Sequence, residues 1–136
     1  MTALAPSPAA RGDRVRQCVA EALDVPVERV QLSSNLMEDL GADSLAFLDI
    51  VFRIEQAFGI EITRGEMERA ARGTMSEEEF APGGVISEAG LARLRELLPE
   101  AGARIAPGMR AGQILGLFTV ATFLRIAEGK LEGLHP

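Results

Sequence analysis

Ser44 is the residue of this chain best placed to do chemistry. It follows Gly41-Ala42-Asp43, which reads as a turn, because Gly admits backbone angles closed to other residues and Asp favours turns and helix starts. Apolar residues then recur at spacings of three and four as far as Phe58, and Gly59 supplies a stop signal, which predicts a helix over 44–58. At about 1.5 Å per residue that helix is a rod of roughly 22 Å. A serine in its first turn sits at the positive end of the helix dipole, where open backbone N–H groups favour a bound or attached anion.

Other chemistry has little to work with. His135 is the sole histidine and lies one residue from the C-terminus, where chains usually fray. Cys18 is the only cysteine and Lys130 the only lysine. One chain therefore offers no Ser–His or Cys–His dyad, no disulfide framework and no His or thiolate metal site. The expectation is a protein that is not an enzyme and binds no metal.

The predicted helix carries two apolar faces. Phe47, Ile50, Val51, Ile54 and Phe58 form a core-facing stripe. Leu45, Leu48 and Phe52 obey the same spacing but point elsewhere, beside Asp43, Asp49 and Glu55. This second stripe is either buried by another element or a hydrophobic docking strip with an acidic rim.

The elements that must position Ser44 fit a chain of 136 residues, 47% hydrophobic and 25% charged, which is long enough for a real core and typical of folded proteins. The net charge of −6 is uneven. Residues 21–61 hold Glu21, Asp24, Glu28, Glu38, Asp39, Asp43, Asp49, Glu55 and Glu61 against Arg29 and Arg53. Such a surface argues against nucleic acid or anionic membrane and for partners with basic docking surfaces. No secretory signal is evident, and the longest apolar-leaning run, Ile114 to Leu124, is too short to span a bilayer, so a cytoplasmic protein without a transmembrane segment is expected.

Residues 1–10 read as a loose tail. A first helix is expected from about Gly12 to Leu23, with Val15, Cys18, Val19 and Ala22 inward and Arg14, Arg16, Gln17 and Glu21 outward. Cys18 on that stripe reads as a core cysteine rather than a reactive one. The connection 24–40 is long, and Val25, Val30, Leu32, Leu36 and Leu40 are its expected anchors. Beyond Gly59, Ile60 and Ile62 turn into the core. Thr63 with Glu66 and Ser76 with Glu79 are capping boxes opening short helices, and Glu77, Glu78 and Glu79 read as a solvated first turn. Ser87 caps a helix of about 88–98 that Pro99 stops. Residues 99–112 read as a linking loop anchored by Ile105 and Met109, then a short turn over 113–117. Thr119 caps a last helix from Val120 to about Lys130.

The stretch 36–62 resembles the signature of acyl carrier proteins: an Asp39-Leu40-Gly41 turn, Asp43-Ser44-Leu45, and an acidic and apolar helix ending in Phe58-Gly59-Ile60. Phe118-Thr119-Val120-Ala121-Thr122-Phe123-Leu124 resembles the opening of that family's last helix. The resemblance implies an all-α, four-helix bundle with extra helices inserted at about 66–115, in a single domain of residues 11–131 followed by a tail of 132–136. It implies that Ser44 carries 4′-phosphopantetheine drawn from coenzyme A, with Gly41, Asp43 and Leu45 around the attachment. Leu45, Leu48, Asp49, Phe52, Glu55, Glu38 and Asp39 would meet partners, and Ile50, Ile54, Phe58 and Ile62 would line an acyl pocket.

The implied partners are a phosphopantetheinyl transferase and the enzymes that load and transfer acyl groups in lipid or fatty acid synthesis, met by a monomer. Helix 44–58 and Met75-Ser76-Glu77-Glu78-Glu79-Phe80 look most like the specialised very-long-chain carriers of lipid A synthesis. Arg53 and Phe52 depart from the usual surface of that helix and favour dedicated partners. Two alternatives stay open: an unmodified helical adaptor using the Leu45, Leu48 and Phe52 strip alone, and a carrier for polyketide or aminoacyl groups.

Overall fold

Helix α1 (Arg11–Leu23) buries Val15, Cys18 and Val19 as its spacing requires, with Ala20 beside them. Asp24 ends it in the left-handed region at φ 55°, its N–H reaching the carbonyls of Ala20 and Glu21. The structure is a computed structural model that describes residues 7–133. Pro8–Ala10 make one 3-10 turn ahead of α1. Residues 1–6 and 134–136, which hold the rest of the two expected tails and His135, lie outside the described residues.

Helix α2 (Ser44–Phe58) ends at Gly59, whose φ of 66° is cheap only for glycine. Ile50 and Ile54 are wholly buried, with Phe58 and Ile62 nearly so. Each such side chain contributes about 1.5–3 kcal/mol by leaving water. Val51, expected on the same stripe, is only half-buried. α1 packs against α2 and against the last helix, which runs Val120–Gly133. Phe47 of α2 meets Phe123 of that last helix with ring centroids 5.8 Å apart and planes tilted by 56°, an arrangement that the ring quadrupoles favour.

Among the described residues, those up to Ile62 together with those from Thr119 form one compact unit, and Thr63–Phe118 forms a second. These boundaries lie just outside the expected insertion at 66–115. In the first unit the long connection between α1 and α2 contains one 3-10 turn, Val27–Arg29. Two expectations change here. Arg16, expected to face away, is half-buried and donates to the carbonyls of Val30 at 2.6 Å and Val27 at 3.0 Å, pinning that turn to α1. Leu32, expected as a buried anchor, stays 39% exposed. Val30 and Leu36 are the anchors that reach the core.

The last helix begins where expected. Thr119 and Thr122 cap it, each amide donating to the other's hydroxyl. Its first turn is also stitched to the connection: Val120 N–H donates to Ser34 O, Ala121 N–H to Leu32 O, and Asn35 bridges Thr119.

The second unit is a set of short, strongly capped helices. α3 (Arg64–Arg72) opens on the Thr63–Glu66 capping box, α4 (Glu77–Phe80) on the Ser76–Glu79 box, and α5 (Glu88–Leu97) on the Ser87 hydroxyl, which accepts the Gly90 amide. The final helix is thus α6. Phe80, Ile86, Leu91, Leu94 and Leu98 are buried. Gly90 is a packing requirement: a Cβ there would lie 2.4 Å from the Phe80 carbonyl oxygen and 2.8 Å from Ile86 Cγ2. Glu77, Glu78 and Glu79 are exposed, and no group of three or more His, Cys, Asp or Glu among the described residues could hold a metal ion. The expected loop after Pro99 is instead a 3-10 run, Pro99–Arg104, that buries Ala101, and a second run covers Ala111–Leu117. Ile105 is buried, whereas Met109 is half-buried and contributes through its carbonyl, which accepts the Ile86 amide.

No described residue forms a strand, and the only bridges among them are isolated, Asn35 with Thr119 and Val85 with Arg110. The fold is all-α, with an acyl-carrier-like arrangement of helices and additional helices between α2 and α6.

Candidate functional site: an exposed serine at the head of α2

Ser44 is exposed and occupies the first position of α2. Asp43 is the N-cap: its Oδ1 accepts the Ala46 amide at 2.8 Å and its carbonyl accepts the Phe47 amide at 3.0 Å. The amides of Ser44 and Leu45 precede the helix's hydrogen-bond ladder and point the positive end of its dipole at the hydroxyl. Gly41 has φ 73°, and a Cβ built on it would meet nothing within 4 Å. Glycine is needed there for backbone conformation, not for room. An accessible primary alcohol at such a helix end suits a phosphodiester.

The second stripe of α2 is on the surface. Leu45, Leu48 and Phe52 are 75%, 66% and 57% exposed. The first stripe, with Ile50, Ile54 and Phe58, forms the opposite, buried face, and Ile62 is buried beyond the end of the helix.

Several of the carboxylates on and near this strip hold part of the frame. Asp49 pairs with Arg53 at 3.1 Å one turn on, and Arg53 also reaches Glu21 of α1 at 3.6 Å. Both pairs are exposed enough to contribute about 0–1 kcal/mol each. Glu55 is half-buried and accepts the amide of Ile62 at 2.8 Å. Asp39 Oδ2 accepts the amide of Asn35 at 2.7 Å. Glu38 is exposed, and its own amide is held by Asn35 Oδ1 at 2.8 Å.

Asn35 is the residue that pattern reading passes over. It is 1% exposed, its Oδ1 accepts the amides of Met37 and Glu38, and its carbonyl accepts those of Asp39 and Leu40. The available signal is an Asx residue four positions ahead of an Asp within a loop, a weak turn signature. Cys18 lies on the buried face of α1, its thiol donating to the Arg53 carbonyl at 3.6 Å. Burial pushes that thiol above its ordinary range, Glu21 adding to the shift and Arg14 and Arg53 opposing it.

Comparison with known proteins agrees with this geometry. A family profile described as the phosphopantetheine attachment site matches residues 13–71, which take in most of α1, the connection, α2 and most of α3. The acyl carrier protein of Campylobacter hominis is 44% identical over 57 residues, covering 42% of this chain and 72% of that protein. Acyl carrier protein AcpXL of Rhizobium meliloti is 39% identical over 69 residues, covering 50% and 73% respectively. AcpXL of Brucella melitensis is 46% identical over 50 residues, covering 37% and 54%.

An all-α unit with an exposed serine at the first position of a two-faced helix suits a prosthetic-group carrier. The chain belongs to the acyl carrier protein family, whose members carry groups rather than catalyse and use 4′-phosphopantetheine as cofactor.

Proposed function

We propose that this chain tethers acyl groups as thioesters on a 4′-phosphopantetheine arm joined to Ser44 and presents them to enzymes of lipid or fatty acid synthesis. The observation that supports this most is the exposure of Ser44 at the first position of α2, directly after its Asp43 cap. The arm, when bound, supplies the thiol that holds the acyl group. The protein does the rest. The α2 N-terminus offsets the phosphodiester charge, and Leu45, Leu48 and Phe52 offer an apolar grip to a phosphopantetheinyl transferase and to acyl-handling enzymes. Asp43, Asp49, Glu38 and their neighbours add negative charge that steers basic partners. Ile50, Ile54, Phe58 and Ile62 are the side chains that would part to shelter an acyl chain.

Within this reading, the resemblance to AcpXL proteins favours a very long acyl chain destined for lipid A, and the carrier is read as a cytoplasmic monomer. Residues 11–131 act as one carrier domain with an elaboration between α2 and α6. Intact-mass measurement after incubation with coenzyme A and a phosphopantetheinyl transferase tests the core claim. The parent gains one arm, and Ser44→Ala folds normally but gains none. Modification of Ser44→Ala would overturn the site, and an unmodified parent would favour an adaptor role.

A further inference from the structure

Asn35 and Asp39 face each other across the loop that delivers Ser44, and each holds the other's segment. Asp39 Oδ2 accepts the Asn35 amide at 2.7 Å, while the Asn35 carbonyl accepts the Asp39 amide at 3.0 Å. The Asn35 side chain, almost fully buried, then gathers the amides of Met37 at 3.0 Å and Glu38 at 2.8 Å. Downstream, Gly41 N–H donates to the Met37 carbonyl and Ala42 N–H to that of Leu36. Every residue from Leu36 to Ala42 is therefore bonded to this clasp or lies between residues that are, and Asp43 and Ser44 follow directly. Upstream, the clasp is moored by the Asn35 bridge to Thr119 and by Val120 N–H on the Ser34 carbonyl. A loop fixed at both ends and braced within presents the serine at one place relative to the Leu45, Leu48 and Phe52 strip.

We infer that Asn35 and Asp39 are positioning residues for arm transfer to Ser44: they set the loop, and through it the serine, in the pose the transferase binds. Asp39 acts through the Asn35 amide rather than as a docking charge. The carboxylate is exposed, yet its Oδ2 is committed at 2.7 Å, a short charge-assisted bond. Loss of the brace lets the loop sample other poses, so only a fraction of molecules is competent at any instant. The apparent affinity for the enzyme falls by that fraction. The bond-making step, once the serine is docked, is untouched.

The inference rests on Ser44 being the acceptor, and the test separates the two. Arm transfer from coenzyme A by a phosphopantetheinyl transferase is followed by intact mass on the full chain, well below the unfolding temperature. An unmodified parent overturns both readings. With a modified parent, Asn35→Ala and Asp39→Ala are each expected to raise KM for the carrier about tenfold and leave kcat within about twofold. Asp39→Asn, which keeps an acceptor but no charge, is expected to recover most of the loss. Val19→Ala, a core change in α1, controls for lost stability and is expected to leave both constants within about twofold. An unchanged KM in Asp39→Ala, equal damage from Asp39→Asn, or an equal rise in Val19→Ala overturns the positioning role. Should Asn35→Ala fail to fold, the two Asp39 variants carry the test, since that side chain is exposed.

Discussion

The Glu55 carboxylate accepts the amide of Ile62 at 2.8 Å, seven residues further along, and so closes the chain reversal that follows α2. Gly59 starts the same reversal by leaving the helix at φ 66°, and the Ile60 amide bonds to the Glu55 carbonyl at 3.2 Å. One residue thus holds the corner with both its backbone and its side chain. Glu55→Ala is expected to lower stability by about 1–2 kcal/mol, because a half-buried amide loses a charged acceptor. Glu55→Gln keeps an acceptor and is expected to cost about half as much. Urea unfolding of the three proteins measures the difference.

Gly41 carries a conformational demand without a steric one. Gly41→Ala is expected to cost about 1–2 kcal/mol, the penalty of forcing an L-residue to φ 73°, although its methyl group touches nothing. Gly41→Asn is expected to recover part of that cost, because Asn tolerates the left-handed region. Equal stability of parent and alanine variant in denaturant unfolding would contradict the argument.

Gly90 carries the opposite demand. Its backbone lies in the ordinary helical range, but a Cβ would press into the Phe80 carbonyl and Ile86. Gly90→Ala is expected to destabilise by about 1–3 kcal/mol despite alanine's better helix propensity. Calorimetry distinguishes the signs directly, since propensity alone would raise the melting temperature.

Cys18 offers a pH prediction. Its thiol is raised by burial, so the native chain holds the proton where the unfolded chain releases it. The unfolded state binds fewer protons through that window, and stability falls as pH climbs through the ordinary thiol range toward the raised native value. Cys18→Ala removes this slope while leaving a small cavity. Native-state alkylation of Cys18 at pH 8 is expected to be slow and to become rapid in denaturant.

Signals confined to a few neighbouring residues were legible in the sequence. Asp43 before Ser44, Gly59 after Phe58, the boxes Thr63–Glu66 and Ser76–Glu79, and the Ser87 and Thr119 caps each work within one helical turn, and each stands where its spacing places it. Contacts that join distant segments were not legible. Arg16 looked like a solvated charge until the carbonyls of Val27 and Val30, eleven and fourteen residues away, turned out to be its partners. Leu32 had the right type for an anchor, yet its place beside Gly12 leaves it partly in water. At the site, the accessible face of Leu45, Leu48 and Phe52 could be read only as one of two alternatives, because periodicity says that a stripe exists and not what lies across from it. The 3-10 run Pro99–Arg104 had no apolar period long enough to announce it, whereas the turn expected over 113–117 lies within the run Ala111–Leu117.

The two ends at which Thr63–Phe118 is spliced into the chain are both fastened on the carrier side: Ile62 by the Glu55 carboxylate, and the residues after Thr119 by the carbonyls of Ser34 and Leu32. The bonds that close the seam therefore owe nothing to what lies between the cuts. Each flank of the first unit is thereby anchored within that unit, close to the segment that leads to the serine.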